Sequence, residues 1–299
     1  MRDADENLVG EGGMGLTIRR ARPEDATACG PICYQAFKEI AEAHNFTPDL
    51  PSQEVATHVI STLIANNSFY GVVAELDGRI VGSNFLDERA NSISGIGPVT
   101  VDPAVQNQQV GRRLMNAVLR RSAEVGFAGV RLVQAGYHCR SLSLYSKLGF
   151  EIREHLSCLQ GSALGLDLPG YAVRSAIESD VAACNGLCVR VHGHDRAGET
   201  EAAVWLGEAM VVERNGRIAG YATQIGFFGH AVAETTDDLK ALIGAAKAFM
   251  GPGILVPSRN GELLRWCLGQ GLRITQPLTL MTMGLYNEPA GAFLPSISY

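Results

Sequence analysis

Two stretches of the chain combine residue types that chemistry needs at spacings that bring them together. The first is Val99-Thr100-Val101-Asp102-Pro103-Ala104-Val105-Gln106-Asn107-Gln108-Gln109-Val110-Gly111-Arg112-Arg113-Leu114-Met115. Its β-branched start predicts a strand that ends at Pro103. A helix opens near Val110, because Val110, Leu114, Ala117, Val118 and Val125 recur at helical spacing. A strand–loop–helix start presents free backbone N–H groups and the positive end of the helix macrodipole, which suits a phosphate. Gly111 lets a ligand approach the backbone closely, and Arg112 and Arg113 add positive charge beside it. The second stretch is His138-Cys139-Arg140-Ser141-Leu142-Ser143-Leu144-Tyr145-Ser146-Lys147-Leu148-Gly149-Phe150. On its own, Tyr145 there reads either as a proton donor or as a core aromatic on a short helix.

Other residues invite chemistry less strongly. His192-Gly193-His194-Asp195 has the look of a metal site, but its Gly-rich, charged context predicts an exposed loop. The seven cysteines are an odd number, contain no CxxC pair, and are too sparse for a secreted disulfide framework. Cys29/Cys33 and Cys184/Cys188 lie one helical turn apart and are expected to be small buried side chains. The 299 residues carry 25 basic and 31 acidic groups, a net charge of −6, which argues against nucleic acid or an anionic membrane as partner. No apolar run approaches the ~18–20 residues of a membrane span. The acidic N-terminus lacks the order of a signal peptide, so a cytoplasmic location is expected.

Positioning such residues takes ordered elements, and the chain predicts them twice. Residues 1–15 are Gly- and acid-rich and are expected to form a disordered leader. A strand at Leu16–Ala21 leads to a helix over 26–43 with Asp25 as its N-cap, then to a second helix over 52–65. Phe69–Leu76 and Arg79–Leu86 read as a hairpin around Asp77-Gly78, followed by a strand at Ile96–Val101. Helices at about 110–126 and 141–148 alternate with strands at Val130–Ala135 and 150–160. After a linker at 161–170 the chain begins again. Ile18-Arg19 with Asp25, Cys29 and Cys33 matches Val173-Arg174 with Asp180, Cys184 and Cys188 at an offset of 155. Glu75-Leu76-Asp77-Gly78-Arg79-Ile80 matches Glu213-Arg214-Asn215-Gly216-Arg217-Ile218 at 138, and Gly149-Phe150 matches Gly271-Leu272 at 122. The falling offset implies lost segments in the second copy, the second helix among them.

With these residues the chain resembles the GNAT acyl-CoA N-acyltransferase superfamily. Gln106, Val110-Gly111 and Arg113-Leu114 match that family's phosphate loop. Ser141, Leu144-Tyr145, Lys147 and Gly149-Phe150 match its later motif. The resemblance implies an α/β fold on a mixed α+β sheet, as two GNAT-like domains in tandem: a catalytic one at 16–160 and a degenerate one with a C-terminal tail at 171–299. It implies acetyl-CoA as acyl donor and no metal. Val99 and Val101 would offer backbone groups to the pantetheine arm. Gln106, Asn107, Gln108, Gln109, Val110 and Gly111, with Arg112 and Arg113, would cradle the pyrophosphate. His138 would also contact the cofactor, and Tyr145 would be the general acid that protonates the departing thiolate. Gln109 stands where the family usually has a Gly and His138 where Asn is common; Gln109 keeps its N–H but its Cβ restricts φ. No carboxylate lies in Ser92–Val101, where a general base is often found. Glu39, Glu42, His44, Asp87 and Glu88 are the remaining candidates, none of them singled out.

Residues 23–98 carry 3 basic and 10 acidic groups, whereas residues 99–140 carry 6 basic and 2 acidic. An acidic acceptor side beside a basic donor side favours a cationic primary amine, a small molecule rather than a protein. A homodimer is left open, and a CoA-binding or sensing protein whose catalysis has lapsed is the alternative. In the second copy Ala233-Glu234-Thr235-Thr236-Asp237-Asp238 stands where a phosphate loop would open a helix, and Cys267 stands where Tyr145 would. The apolar tail Phe293–Tyr299 is expected to pack back on the body.

Overall fold

A computed structural model describes residues 15–298. The expected leader therefore lies outside the described residues except for Gly15. The described residues form two compact units, 15–88 with 95–126 and 89–94 with 127–298.

In the first unit, strand β1 (Leu16–Arg20) pairs antiparallel with β2 (Phe69–Leu76), and β2 with β3 (Arg79–Asp87). Asp77 and Gly78, at φ 50° and 79°, make the tight turn that the Asp-Gly dipeptide predicts. Helix α1 (Ala26–Ala43) has the bounds the sequence gives it, and α2 is Gln53–Ala65. Cys29 and Cys33 of α1 and Ala56 and Ile60 of α2 form one core with Val73 and Phe85 of the sheet. The strand expected at Ile96–Val101 is instead two short pieces, β4 (Ile93–Ile96) and β5 (Thr100–Val101). Gly97 and Pro98 break it, since Pro98 has no N–H for a ladder. Val99 falls in the break. β5 pairs with Gly82 and Ser83 of β3. A Cβ on Gly82 would stand 2.6 Å from the Thr100 carbonyl and 3.1 Å from Leu114, so only Gly allows this approach. Helix α3 (Val110–Val125) buries Val110, Leu114, Ala117 and Val118 as its periodicity predicts, leaving Val125 at its end exposed.

The second unit holds β6 (Gly129–Ala135), α4 (Cys139–Lys147), β7 (Glu151–Gln160), β8 (Ala172–Ser175), α5 (Val181–His192), α6 (Ala197–Trp205), β9 (Met210–Arg214), β10 (Arg217–Ala222), β11 (Ala231–Ala233), α7 (Thr236–Ala245), β12 (Ile254–Pro257), α8 (Gly261–Gly269), β13 (Arg273–Gly284) and β14 (Ala292–Leu294). From β8 to β13 the order of elements repeats that from β1 to β7, except that β11 alone stands where the first copy has β4 and β5. The second helix, expected to be missing from this copy, is present as the shorter α6; the loss was in length, 9 residues against 13. β13 runs between β6 and β7 and pairs antiparallel with both, while β12 pairs with the far side of β7. The expected linker packs Leu164 and Leu168 on this unit's core. The tail forms β14 on β11, with Phe293 opposite Val232, so it does pack back on the body.

The two copies share interactions as well as order. Arg19 donates to Asp25 at 2.7 Å and to Glu75 at 3.0 Å, while Arg174 donates to Asp180 at 2.6 Å and to Glu213 at 2.8 Å. Asp25 was expected to cap α1, but its carboxylate accepts from the Arg22 N–H and the Arg19 guanidinium instead. A two-pronged, partly buried charge pair outcompetes one helix N–H. The paired cysteines behave as read: all four are buried, and burial pushes the Cys29 thiol up to about 11 and those of Cys33 and Cys184 to about 12. His192 and His194 depart from expectation. They are buried, because His192 packs edge-on against Phe293 and His194 meets the Arg131 guanidinium at 3.1 Å. No cluster of three or more metal-ligating side chains occurs among the described residues.

Candidate functional site

The residues singled out by sequence divide between the two units. In the first, β5 leaves the sheet through a short turn, Pro103–Val105, capped by Asp102, whose carboxylate accepts from the Ala104 N–H at 2.9 Å and from Arg79 at 2.6 Å. These contacts fix where the loop begins. The Gln106 amide donates to the Val101 carbonyl at 3.4 Å, tying the loop back to β5. Asn107, Gln108 and Gln109 are exposed, whereas Val110 is buried and anchors the helix start. Asn107 and Gln109 both take left-handed backbone, at φ 71° and 62°. Gln109 thus holds the conformation that a Gly would supply, despite its Cβ. Arg113 is anchored on the Leu16 carbonyl at 3.1 Å, while Arg112 is exposed. No side chain caps α3, so its first amides keep their donors for a ligand or water.

The Gln109 backbone makes a stability prediction. A non-Gly residue in left-handed backbone costs roughly 1–2 kcal/mol, part of which Gly returns as extra freedom in the unfolded chain. Gln109→Gly is therefore expected to raise the unfolding free energy by about 0.5 kcal/mol and to leave CoA affinity within twofold. A denaturant titration and calorimetry check both; a destabilised variant would contradict the left-handed assignment.

The corresponding helix in the second copy is built differently. Thr235 accepts from the Asp238 N–H at 3.2 Å, and Asp238 accepts from the Thr235 N–H at 3.0 Å. Arg214 then donates to the buried Asp238 carboxylate at 2.7 Å. An internal acid occupies the place an anion would take. The edge of β11 is likewise engaged by β14.

In the second unit, α4 carries His138 at its N-cap, then Ser141 and Tyr145. The motif Gly149-Phe150 has a mechanical role. Gly149 at φ 99° reverses the chain, the Phe150 N–H donates to the Tyr145 carbonyl at 3.0 Å, and the two rings meet edge-on at 6.2 Å. Gly271-Leu272 does the same after α8, where the Leu272 N–H donates to the Cys267 carbonyl at 3.1 Å. Tyr145 is 7% exposed, and burial pushes its phenol up to about 12, with a Ser141 hydrogen bond pulling the other way. It stays protonated at neutral pH. The Ser141 hydroxyl lies 2.8 Å from His138 Nδ1. Sequence reasoning matched Ser141 to a motif without giving it a role, and only its one-turn spacing from both neighbours signalled one.

Four of the five base candidates are engaged in ordinary contacts near the surface. Glu39 accepts from Gln35, Lys38 approaches Glu42 at 3.9 Å, and His44 Nδ1 meets the Ile40 carbonyl at 2.9 Å. Arg121 donates twice to Glu88, at 2.7 and 3.1 Å. Asp87 is buried at the end of β3.

Residues 66–152 match the family described as acetyltransferase (GNAT) domain. That span contains the 106–111 loop, His138 and Tyr145. Two solved structures are similar in fold over nearly the whole chain. One is a candidate acetyltransferase from Pyrococcus horikoshii, at TM-score 0.70 and 18% identity, covering 95% of this chain and 96% of that one. The other is a GCN5-related N-acetyltransferase from Sphaerobacter thermophilus, at TM-score 0.58 and 14% identity, covering 95% and 98%. No curated protein matches the chain. No helix among the described residues is long and apolar enough to cross a membrane.

Proposed function

We propose that this chain, which carries a GNAT acetyltransferase domain over residues 66–152, transfers an acetyl group from acetyl-CoA to a primary amine. The observation that carries the reading is the contrast between two equivalent helix starts. That of α3 lies inside the matched span, has no side-chain cap and follows a loop with two left-handed residues. That of α7 is filled by its own Thr235 and Asp238. The Gln106–Gly111 backbone, with Arg112 and Arg113, takes the pyrophosphate; Val99 and Val101 take the pantetheine amides. The amine attacks the thioester carbonyl directly, and Tyr145 protonates the departing thiolate. The 171–299 copy is non-catalytic in this reading, and the 16–160 copy holds the chemistry.

The acceptor is a cationic small amine. Residues 23–98 hold 10 acidic groups against 3 basic ones. Asp25, Glu42, Glu75 and Glu88 are already engaged by Arg19, Lys38, Arg19 and Arg121, so the field on the acceptor comes from the others. The motive for a lapsed catalyst weakens, because Gln109 takes up the left-handed backbone.

The test is release of free thiol from acetyl-CoA against putrescine, cadaverine, lysine and neutral or acidic amines, with calorimetry of CoA binding to the full chain. Turnover is expected with the cationic amines, and one CoA should bind per chain. Binding without thiol release from any amine would favour the sensor. Two CoA per chain would overturn the assignment of the second copy.

A further inference from the structure

We propose that His138 and Ser141 form a proton relay to Tyr145 along α4, so that the proton given to the thiolate is drawn from solvent through these two side chains. The proposal rests on the acetyl-transfer reading above. Positions 138, 141 and 145 are spaced three and then four residues apart, which puts them in a row on one side of the helix. Ser141 Oγ lies 2.8 Å from His138 Nδ1 and stands one turn before Tyr145, whose phenol it holds below the value burial alone would set. His138 sits at the N-cap, yet its ring caps no backbone N–H and is turned to Ser141. Burial falls along the row: Tyr145 is buried, while Ser141 and His138 are half-buried. The row thus links a sealed phenol to a side chain that water reaches.

The chemistry calls for such a link. Once Tyr145 has given its proton to the thiolate, burial keeps bulk water from returning it directly, so each further turnover waits on reprotonation of the phenolate. An imidazolium gives up its proton more readily than a phenol, so reprotonation from His138 through Ser141 runs downhill. In the balanced step the Tyr145 O–H bond breaks as the S–H bond of CoA forms. Ser141 Oγ–H passes its proton to the phenolate oxygen, and His138 Nδ1–H passes its proton to Ser141. This leaves a neutral imidazole that regains a proton from solvent. The acceptor arrives as an ammonium and gives up two protons, one before attack and one from the tetrahedral intermediate, so with one proton drawn in through the relay each turnover releases one net proton to solvent. The second copy serves as an internal comparison. At the matching offset it has Asn260, which caps the Leu263 N–H at 3.1 Å, followed by Leu263 and Cys267, a row that passes no proton.

Stopped-flow thiol detection on the full chain, with acetyl-CoA and the fastest amine of the panel, tests the relay. Tyr145 begins each experiment protonated. Ser141→Ala and His138→Ala are therefore expected to release one thiol per chain at close to the wild-type rate, then to slow by about 100-fold in the steady state. Added imidazole should restore the steady state of His138→Ala and not of Ser141→Ala, and Ser141→Thr should retain it. Wild-type steady-state rates in both alanine variants would overturn the relay while leaving acetyl transfer intact. So would a first turnover slowed as much as later ones, which marks a packing role. Absence of thiol release from the wild type with every amine would remove the acetyl-transfer reading and the relay with it.

Discussion

Tyr145→Phe is expected to lower kcat for thiol release by about 100-fold while leaving the acetyl-CoA dissociation constant within twofold. General-acid assistance contributes about 10²–10⁴ in rate. A thiolate is already a fair leaving group, with a conjugate acid near 8.5, which places the loss toward the lower end of that range. The substitution is conservative for structure. The ring that meets Phe150 edge-on at 6.2 Å is kept, as is the backbone carbonyl that holds the Phe150 N–H. The hydroxyl alone is removed, together with its Ser141 hydrogen bond, a stability change of about 1 kcal/mol. Steady-state kinetics with calorimetry of CoA binding separates the two effects. Unchanged turnover removes Tyr145 from the mechanism. A matching loss of CoA affinity would make it a binding residue instead.

Much of this was legible in the sequence wherever a local rule decided the outcome. Helix α1 begins and ends where its apolar periodicity does, and Asp77-Gly78 and Asn215-Gly216 each turn a hairpin because both residues of the pair take positive φ. The Gly-aromatic signature after Tyr145 is readable for the same reason: one residue must reverse the chain and the next must bury. Misreadings arose where a distant partner decided. Asp25 has the composition of an N-cap, yet Arg19 six residues away and Glu75 across the sheet set its geometry. His192 and His194 stand beside Gly193 and Asp195 as a surface loop would, but Phe293 and Arg131, far along the chain, enclose them. β13 gives no local sign that it will part β6 from β7, because strand pairing at that separation depends on the finished sheet. The tail's apolarity signalled burial, and its pairing with β11 could not be read from the tail alone. At the candidate site the split is the same. The loop and Tyr145 follow from spacing, whereas the missing cap on α3 and the filled one on α7 are seen only in three dimensions.

Lowering the pH from 7.5 to 5.0 is expected to destabilise the fold by at least about 4 kcal/mol, the share of His194 and His230. Both lie in the second unit and both are buried. Burial pushes the His230 imidazole down to about 4, with Arg196 adding to the effect and Glu199 opposing it. Glu199 does not win, although it lies 3.3 Å from His230, because Arg196 already neutralises it through two 2.7 Å hydrogen bonds. His194 is pushed down to about 3 by burial and by the cations Arg131 and Arg196. His192 moves the same way, burial again the main cause. Folded imidazoles held neutral resist protonation, while the unfolded chain takes up protons below a pKa near 6.5. Their contribution is therefore fully present above that value and is lost as the pH falls toward 4. At pH 5 each costs about 2 kcal/mol. Depressed carboxylates such as Asp25 and Asp180 act only below the unfolded carboxylate range near 4, so the window from 6.5 to 5 belongs to histidine. Urea titrations at the two pH values should show the loss, and thermal midpoints should fall by roughly 10 °C. His230→Gln, which keeps a neutral polar group beside Tyr221, should lower stability at pH 7.5 yet remove about 2 kcal/mol of the pH dependence. Equal stability of the wild type at both pH values would show that these imidazoles titrate in the folded chain as they do in the unfolded one. A full pH slope in the variant would assign the loss to other groups.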